Sequence, residues 1–312
     1  MYSESRTEKK HNEDVIYASD NLWIVCDAAS GLTKTDWMHQ GSDAAWFSHF
    51  LVDFIVNALK PETNQSAPSC SLSEILASAC QQASTIFPPC SELEMPSAAI
   101  AVLYRNVAQK RFEYLVLGDC VLLAELVNEA RSGSTSRLVS EEKKTGSSSD
   151  EPALTTHKIT DPTIAHFDGM ALDFMKGRSQ KLHEPFLAQR PLANEILIAN
   201  RQKKNQPDGY AIADCTTRWA GHELSGTFSL EALKRAALYS DGFDQLQDFL
   251  QADQIIHSDQ AFLNFIFDHQ NEVLDLLYQK QNQDSSCEII PRLKLRDDTS
   301  LILVDFPTRS AQ

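Results

Sequence analysis

Five apolar residues in succession, Leu22-Trp23-Ile24-Val25-Cys26, end on Asp27. A run of that character reads as a core strand. A carboxylate at the mouth of a buried strand must be solvated, paired or bound to a cation. The same arrangement recurs along the chain. Val15 to Tyr17 is a second strand-like run, entered through Glu13 and Asp14 and joined to the first by turn-forming residues, which predicts an antiparallel hairpin. Asp119 follows Gly118, Asp241 precedes Gly242, and Asp297 stands with Asp298 just ahead of "SLILVDF". Strand ends gather easily in space, and carboxylates brought together there repel one another unless cations neutralise them. An all-oxygen donor set with water suits Mg²⁺ or Mn²⁺ rather than zinc. Two such ions side by side can activate water and hold phosphate oxygens for in-line displacement.

Between these acids, apolar residues at helical spacing predict a helix within Asp36 to Leu59, ending before Pro61, and a second from Ser73 to Phe87, ending before Pro88-Pro89. "AAIAVLYRN", "RFEYLVLGDC" and "VLLAELV" are three β-prone runs at short spacing and predict a meander. Residues 129–151 are Ser-rich, charged and almost without large apolar groups, so they read as an inserted mobile arm. Weak patterning continues to about Glu195, and "HFDGM" at His166 to Met170 reads there as an Asp-Gly turn. Farther on, a strand-like run enters a second Asp-Gly turn at Asp241-Gly242 and then a helix. "AFLNFIFDHQNEVLDLLYQKQNQ" carries an apolar stripe that predicts one more helix before the last strand.

Whole-chain properties narrow the function classes. With 312 residues the chain has ample material for a core and needs no disulfide staples. A net charge of −15 argues against nucleic acid as partner, since phosphate backbones are held by clustered Lys and Arg. Seven cysteines without a C-x-x-C pair indicate neither a zinc ribbon nor a disulfide framework and fit a reducing cytoplasm. The longest apolar stretch, "AWFSHFLVDFIVNAL", is interrupted by Ser48, His49 and Asp53, so no membrane association is expected. Neither G-x-x-x-x-G-K-[ST] nor G-x-G-x-x-G occurs, which removes kinase and dinucleotide readings.

In order and context, "NED" at Asn12 to Asp14, "VCDAASGL" at Val25 to Leu32, "LGDC" at Leu117 to Cys120, "YSDGF" at Tyr239 to Phe243 and "RDDTSLILV" at Arg296 to Val304 resemble the metal-dependent protein phosphatases. This is the PPM, or type-2C serine/threonine, family. "NRQKKNQPDGYAIAD", Asn200 to Asp214, is similar to a stretch of its bacterial-type members. The resemblance implies an α+β fold, a four-layer α-β-β-α sandwich of two mainly antiparallel sheets flanked by helices. It spans residues 1–312 as a single phosphatase-like domain, with the insertion at 129–151 and a divergent region to about 230. The implied function is hydrolysis of phosphoserine and phosphothreonine in proteins, by a hydroxide bridging two Mn²⁺ or Mg²⁺ ions, in the cytoplasm.

Carried over by position, Glu13 resembles a ligand of one ion, Asp27 the bridge between both, and Asp241 and Asp297 ligands of the other. Ala28 would give its backbone carbonyl, and Asp119 would bind a weak third ion. Asp14 resembles the carboxylate that orients the attacking water, and Lys9 stands where many members carry a phosphate-binding Arg. Three departures stand out. Ala28 replaces the usual Gly, Lys9 lacks the bidentate fork of Arg, and Gln245 sits where another acid is usual, with Asp244 one residue earlier. They leave two alternatives, a catalytically weak or inactive module that binds phosphoproteins and a hydrolase of small phosphate esters.

Overall fold

The computed structural model describes residues 1–32, 35–60, 70–127 and 153–306. Eleven strands are found among them. They are β1 (Tyr2–Arg6), β2 (Asp14–Ala18), β3 (Leu22–Ala29), β4 (Ser97–Asn106), β5 (Arg111–Leu117), β6 (Val121–Val127), β7 (Leu154–Ile159), β8 (Ala213–Asp214), β9 (Leu224–Ser229), β10 (Leu233–Tyr239) and β11 (Thr299–Asp305). The helices are α1 (Asp43–Leu59), α2 (Leu72–Ile86), α3 (Thr163–Leu182), α4 (Asn194–Arg201), α5 (Asp241–Ala252), α6 (Asp259–Asp268) and α7 (Val273–Gln283), with a 3-10 helix at Phe186–Ala193.

One sheet has the order β1-β11-β10-β6-β7, and the other runs β2-β3-β4-β5-β9 with β8 paired to β4. Every pairing is antiparallel. β3 shows why its sequence is apolar without alternation. Trp23 and Val25 point between the sheets, where they join Ala101, Phe112, Leu122, Leu238 and Ile302. Ile24 and Cys26 point outward beneath Phe47, Leu51 and Ile55 of α1 and Leu76 and Cys80 of α2. A strand covered on both faces has no side left for polar residues. The outer face of the five-stranded sheet is covered likewise, with Leu123, Tyr239 and Leu301 under Phe243, Phe262 and Leu277 of α5, α6 and α7. The result is the expected four-layer α-β-β-α sandwich. Apart from it, α3, α4 and the 3-10 helix share a small cluster around Ala171, Met175, Phe186 and Cys287.

Several local expectations need correction. β4, β5 and β6 are not one meander, because β6 leaves β5 and pairs with β10 and β7 in the other sheet. The crossing is made at Gly118, whose φ of +79° a side chain would resist. α1 begins at Asp43 rather than nearer Asp36, capped by Ser42, whose Oγ accepts from the Ala45 N–H. The stripe after Asp259 forms two helices, since the chain turns at His269 to Glu272 between α6 and α7. "HFDGM" lies inside α3 and is no turn. Polar β1 was not foreseen. The predicted arm at 129–151 lies outside the described residues.

Candidate active site

The five acid-bearing motifs meet at one end of the sandwich, over the seam between the sheets. β2 and β3 set Asp14 directly across from Asp27. β10 runs into α5, so Asp241 is the first residue of that helix, and Asp297-Asp298 lead into β11 beside it. Gly242 permits this approach, because a Cβ there would lie 2.1 Å from the Asp298 carbonyl oxygen. The Asp-Gly pair therefore marks a close backbone crossing at a helix start. Asp119 arrives from the crossing between β5 and β6.

Each acid has distinct surroundings. Asp14 is buried, and its Oδ2 accepts from Ser240 Oγ at 2.8 Å, while Ser240 Oγ accepts from the Ser300 N–H at 3.0 Å. Its Oδ1 is buried with no partner, and so is Oδ1 of Asp241. Burial raises Asp14 from 3.8 to about 7, the Ser240 bond opposing and the charges of Asp241 and Asp298 assisting. Part of Asp27 still meets solvent, yet it lies deep in the cleft. Desolvation, followed by the charges of Asp14, Asp241, Asp297 and Asp119, pushes it well above the carboxylate range. Asp119 is driven up by burial and by Asp241 and Asp168, and Asp241 by burial and by Asp297. These acids cannot all be charged without a counter-cation.

Lysines supply part of that charge. Lys294 Nζ donates to Asp297 Oδ2 at 2.5 Å. Burial disfavours ionised Asp297, but Lys294 and then Lys9 outweigh it and hold the carboxyl below its usual range. Lys9 Nζ reaches Glu13 Oε2 at 2.8 Å, Asp298 Oδ2 at 2.9 Å and Asp297 Oδ1 at 3.4 Å. Glu13 is turned partly away from the deep acids. Its Oε1 accepts from Ser42 Oγ at 2.8 Å and Ser30 Oγ at 3.3 Å. Ala28 is buried in β3 opposite Ala98.

A cavity of about 490 Å³ opens beside the cluster, lined by Asp119, Asp168, Asp241, Asp297, Lys158 and Lys294 among others. Asp168, dismissed with its motif by sequence reasoning, is brought here by α3, and burial with the Asp241 charge raises it to about 6. Asp244 is occupied by Lys158, whose Nζ donates to both carboxylate oxygens at 2.8 and 3.0 Å. Gln245 accepts from Gln281 Nε2 at 3.0 Å. Lys294 and Asp298 were also missed as site residues, although both adjoin Asp297 closely enough in sequence to have been considered.

The donor chemistry fits a hard divalent ion. The two orphaned oxygens of Asp14 and Asp241 are acceptors that protein leaves unused. Among the described residues, no three His, Cys, Asp or Glu side chains form a preformed cage. An ion here would take one or two carboxylates and complete its shell with water, as Mg²⁺ commonly does.

No family model and no curated protein matches the sequence. Its fold does have solved counterparts. A bacterial serine phosphatase matches over 99% of this chain and 98% of its own, with a TM-score of 0.51 and 11% identity. At that identity the likeness is one of fold: the chain shares the two-sheet α+β sandwich of that bacterial serine phosphatase. The Mycobacterium tuberculosis serine/threonine phosphatase PstP/Ppp aligns over 98% of this chain and 97% of its own at 14% identity and a TM-score of 0.48. The PstP catalytic domain in complex with two manganese ions aligns over 97% and 96%, at 14% and 0.46. In this fold the acid cluster draws its members from both sheets. No helix among the described residues is long and apolar enough to cross a membrane.

Proposed function

We propose that the chain is a metal-dependent phosphoric monoester hydrolase acting on phosphoserine and phosphothreonine in proteins. The observation that carries this reading is the set of mutually raised carboxylates with unused buried oxygens at Asp14 and Asp241. The bacterial serine phosphatase fold supports the same chemistry. Asp27, Asp241 and Asp297, with Glu13 and the Ala28 carbonyl, would hold two ions, Mn²⁺ or Mg²⁺. Asp119 with Asp168 would hold a weaker third. Bound there, the ions would activate water and neutralise phosphoryl oxygens.

The chain's own groups perform the remaining work. Ser240 fixes Asp14 through Oδ2 and leaves Oδ1 to orient the attacking water and accept its proton. Lys9, already placed among Glu13, Asp297 and Asp298, brings positive charge to the phosphate side, where it acts as a point charge rather than a fork. The cavity beside the cluster gives room for the phosphorylated residue.

A second reading, a phosphoprotein-binding module with little turnover, draws on Lys9 and Lys294, which neutralise part of the cluster internally. One assay separates the two. The full chain should hydrolyse an aryl phosphate and a phosphoserine peptide with Mn²⁺ or Mg²⁺ and stop in chelator. Phosphopeptide binding without turnover at saturating Mn²⁺ would establish the second reading. Turnover of the aryl ester alone would point to small phosphate esters.

A further inference from the structure

The stretch Asn200 to Asp214 has no part in the proposed chemistry, yet it is tied down with unusual care. Lys204 and Asp214 form a salt bridge at 3.2 Å with side chains 1% and 0% exposed. Asn205 Nδ2 donates to Asp214 Oδ2 and to the Ile212 carbonyl, both at 3.0 Å, and Asn205 Oδ1 accepts from the Ile212 N–H at 3.0 Å. Asp214 Oδ1 accepts from the Thr216 N–H at 2.8 Å and Thr216 Oγ1 at 2.6 Å. Through β8 the segment pairs with β4, Asp214 lying opposite Ser97 and Ala213 opposite Ala98. Those two β4 residues are themselves the partners of Ala29 and Ala28.

From this anchored segment Arg201 reaches toward the bridge. Its Nη2 approaches the carbonyl oxygens of Ala29 at 3.3 Å, Ser30 at 3.2 Å and Met95 at 3.1 Å. Ala29 and Ser30 are the second and third residues after Asp27, while Met95 belongs to the strand-entry segment alongside, where the Leu32 N–H donates to the Leu93 carbonyl at 2.9 Å. Ser30 in turn donates through Oγ to Glu13 and accepts from the Ala44 N–H. The neighbouring Asn200 donates through Nδ2 to the Phe167 carbonyl at 2.6 Å, one residue before Asp168.

We infer that Arg201 is a positioning residue: its guanidinium clamps the loop that follows Asp27 to the entry of β4, fixing the Ala28 carbonyl and Glu13 relative to the acids on the other sheet. Donations from one nitrogen shared among three main-chain oxygens suit such a role, because they tie two backbone segments to the same group and consume no carboxylate of the site. Residues that orient ligands are worth about 10- to 100-fold in metal affinity in sites of this kind. The part of the inference concerning metal rests on the phosphatase reading; the clamp itself does not.

The test uses the full chain with Arg201→Met and Arg201→Lys. Hydrogen exchange in chelator should accelerate about tenfold or more at amides 28–32 in Arg201→Met, while amides in the centres of β10 and β11 keep their protection. Arg201→Lys should fall between the two, since an ammonium can still reach carbonyls but spans fewer of them. In Mn²⁺ titration calorimetry, Arg201→Met should bind about tenfold more weakly than the wild type. Unchanged exchange at 28–32, or an equal rise throughout the sandwich, would overturn the clamp. Equal Mn²⁺ affinity in the two proteins would overturn its bearing on the site. A wild type that takes up no Mn²⁺ would defeat the phosphatase reading, and the exchange comparison would still decide the clamp.

Discussion

Asp284 and Asp14 are both buried carboxylates near the same end of the molecule, and the protein treats them in opposite ways. Asp284 accepts from Arg292 Nη1 at 2.6 Å and from the N–H groups of Glu288, Ile289 and Ile290 at 2.9, 3.0 and 3.1 Å. Arg292 spends its other donors on the carbonyls of Gln281, Asp284, Ile290 and Leu295. Burial works against ionised Asp284, but the backbone donors and Arg292 outweigh it, and its carboxyl sits below the usual range. Asp14 has Ser240 on one oxygen, with Ser300 beside it, and is raised by burial to about 7. The structural acid is saturated with donors, whereas Asp14 is left short of them, which is the arrangement the phosphatase proposal uses.

The sharpest way to break this contrast is substitution on both sides. Asp27→Ala should lower turnover of an aryl phosphate at saturating Mn²⁺ by about 10³-fold or more, roughly 4 kcal/mol of barrier. Its thermal midpoint in chelator should stay level or rise, because a carboxyl that burial and its acidic neighbours disfavour has gone. A retained turnover would remove Asp27 from the chemistry.

The complementary change, Asp284→Ala, should cost about 3–5 kcal/mol of folding stability by stranding Arg292 without its partner. Denaturant unfolding in chelator measures it. A loss no larger than that of Asp27→Ala would mean that the donor count does not separate the two classes of acid.

The smallest effect is one of pH. Asp14 holds its proton more tightly in the folded chain, about 7 against 3.8. Between those values the folded state carries more protons than the unfolded one, so stability falls as pH rises through that window. In chelator the loss from about pH 4 to pH 7 should be on the order of 3 kcal/mol from this group, and Mn²⁺ should recover more of it at pH 7.5 than at pH 5. Stability rising steadily across the window in chelator would contradict the raised Asp14.

That the acid-bearing motifs would meet was legible because each stands at or beside the end of an apolar run, and the sandwich was legible from runs buried on both faces. What escaped detection has physical reasons. β1 is an edge strand of mostly polar residues held by main-chain pairing to β11, which leaves no hydrophobic pattern. Which sheet β6 joins depends on the conformation of Gly118, and the spacing of strands does not encode that. α3 buries only Ala171 and Met175 in twenty residues, so it shows almost no stripe. A Cβ added at its Gly169 or Gly177 would meet nothing within 4 Å, so these glycines mark no turn or close contact, and the Asp-Gly pair at Asp168-Gly169 gave a false turn signal. The break between α6 and α7 lacks both Gly and Pro. Asp298 was hidden beside Asp297, although it receives the Glu13 N–H, Thr7 and Lys9.

The seam between the sheets carries one more consequence. Asp27 belongs to one sheet and Asp241 follows a strand of the other, 214 residues later in the chain. A cation shared by the two would be a reversible crosslink that closes a very long loop. Long loops are those whose closure removes the most freedom from the unfolded chain, and ligand binding to the native state alone stabilises it by mass action. The ion would thus act as a removable rivet on the whole architecture, and chelation would loosen the grip of one sheet on the other as well as silence the site.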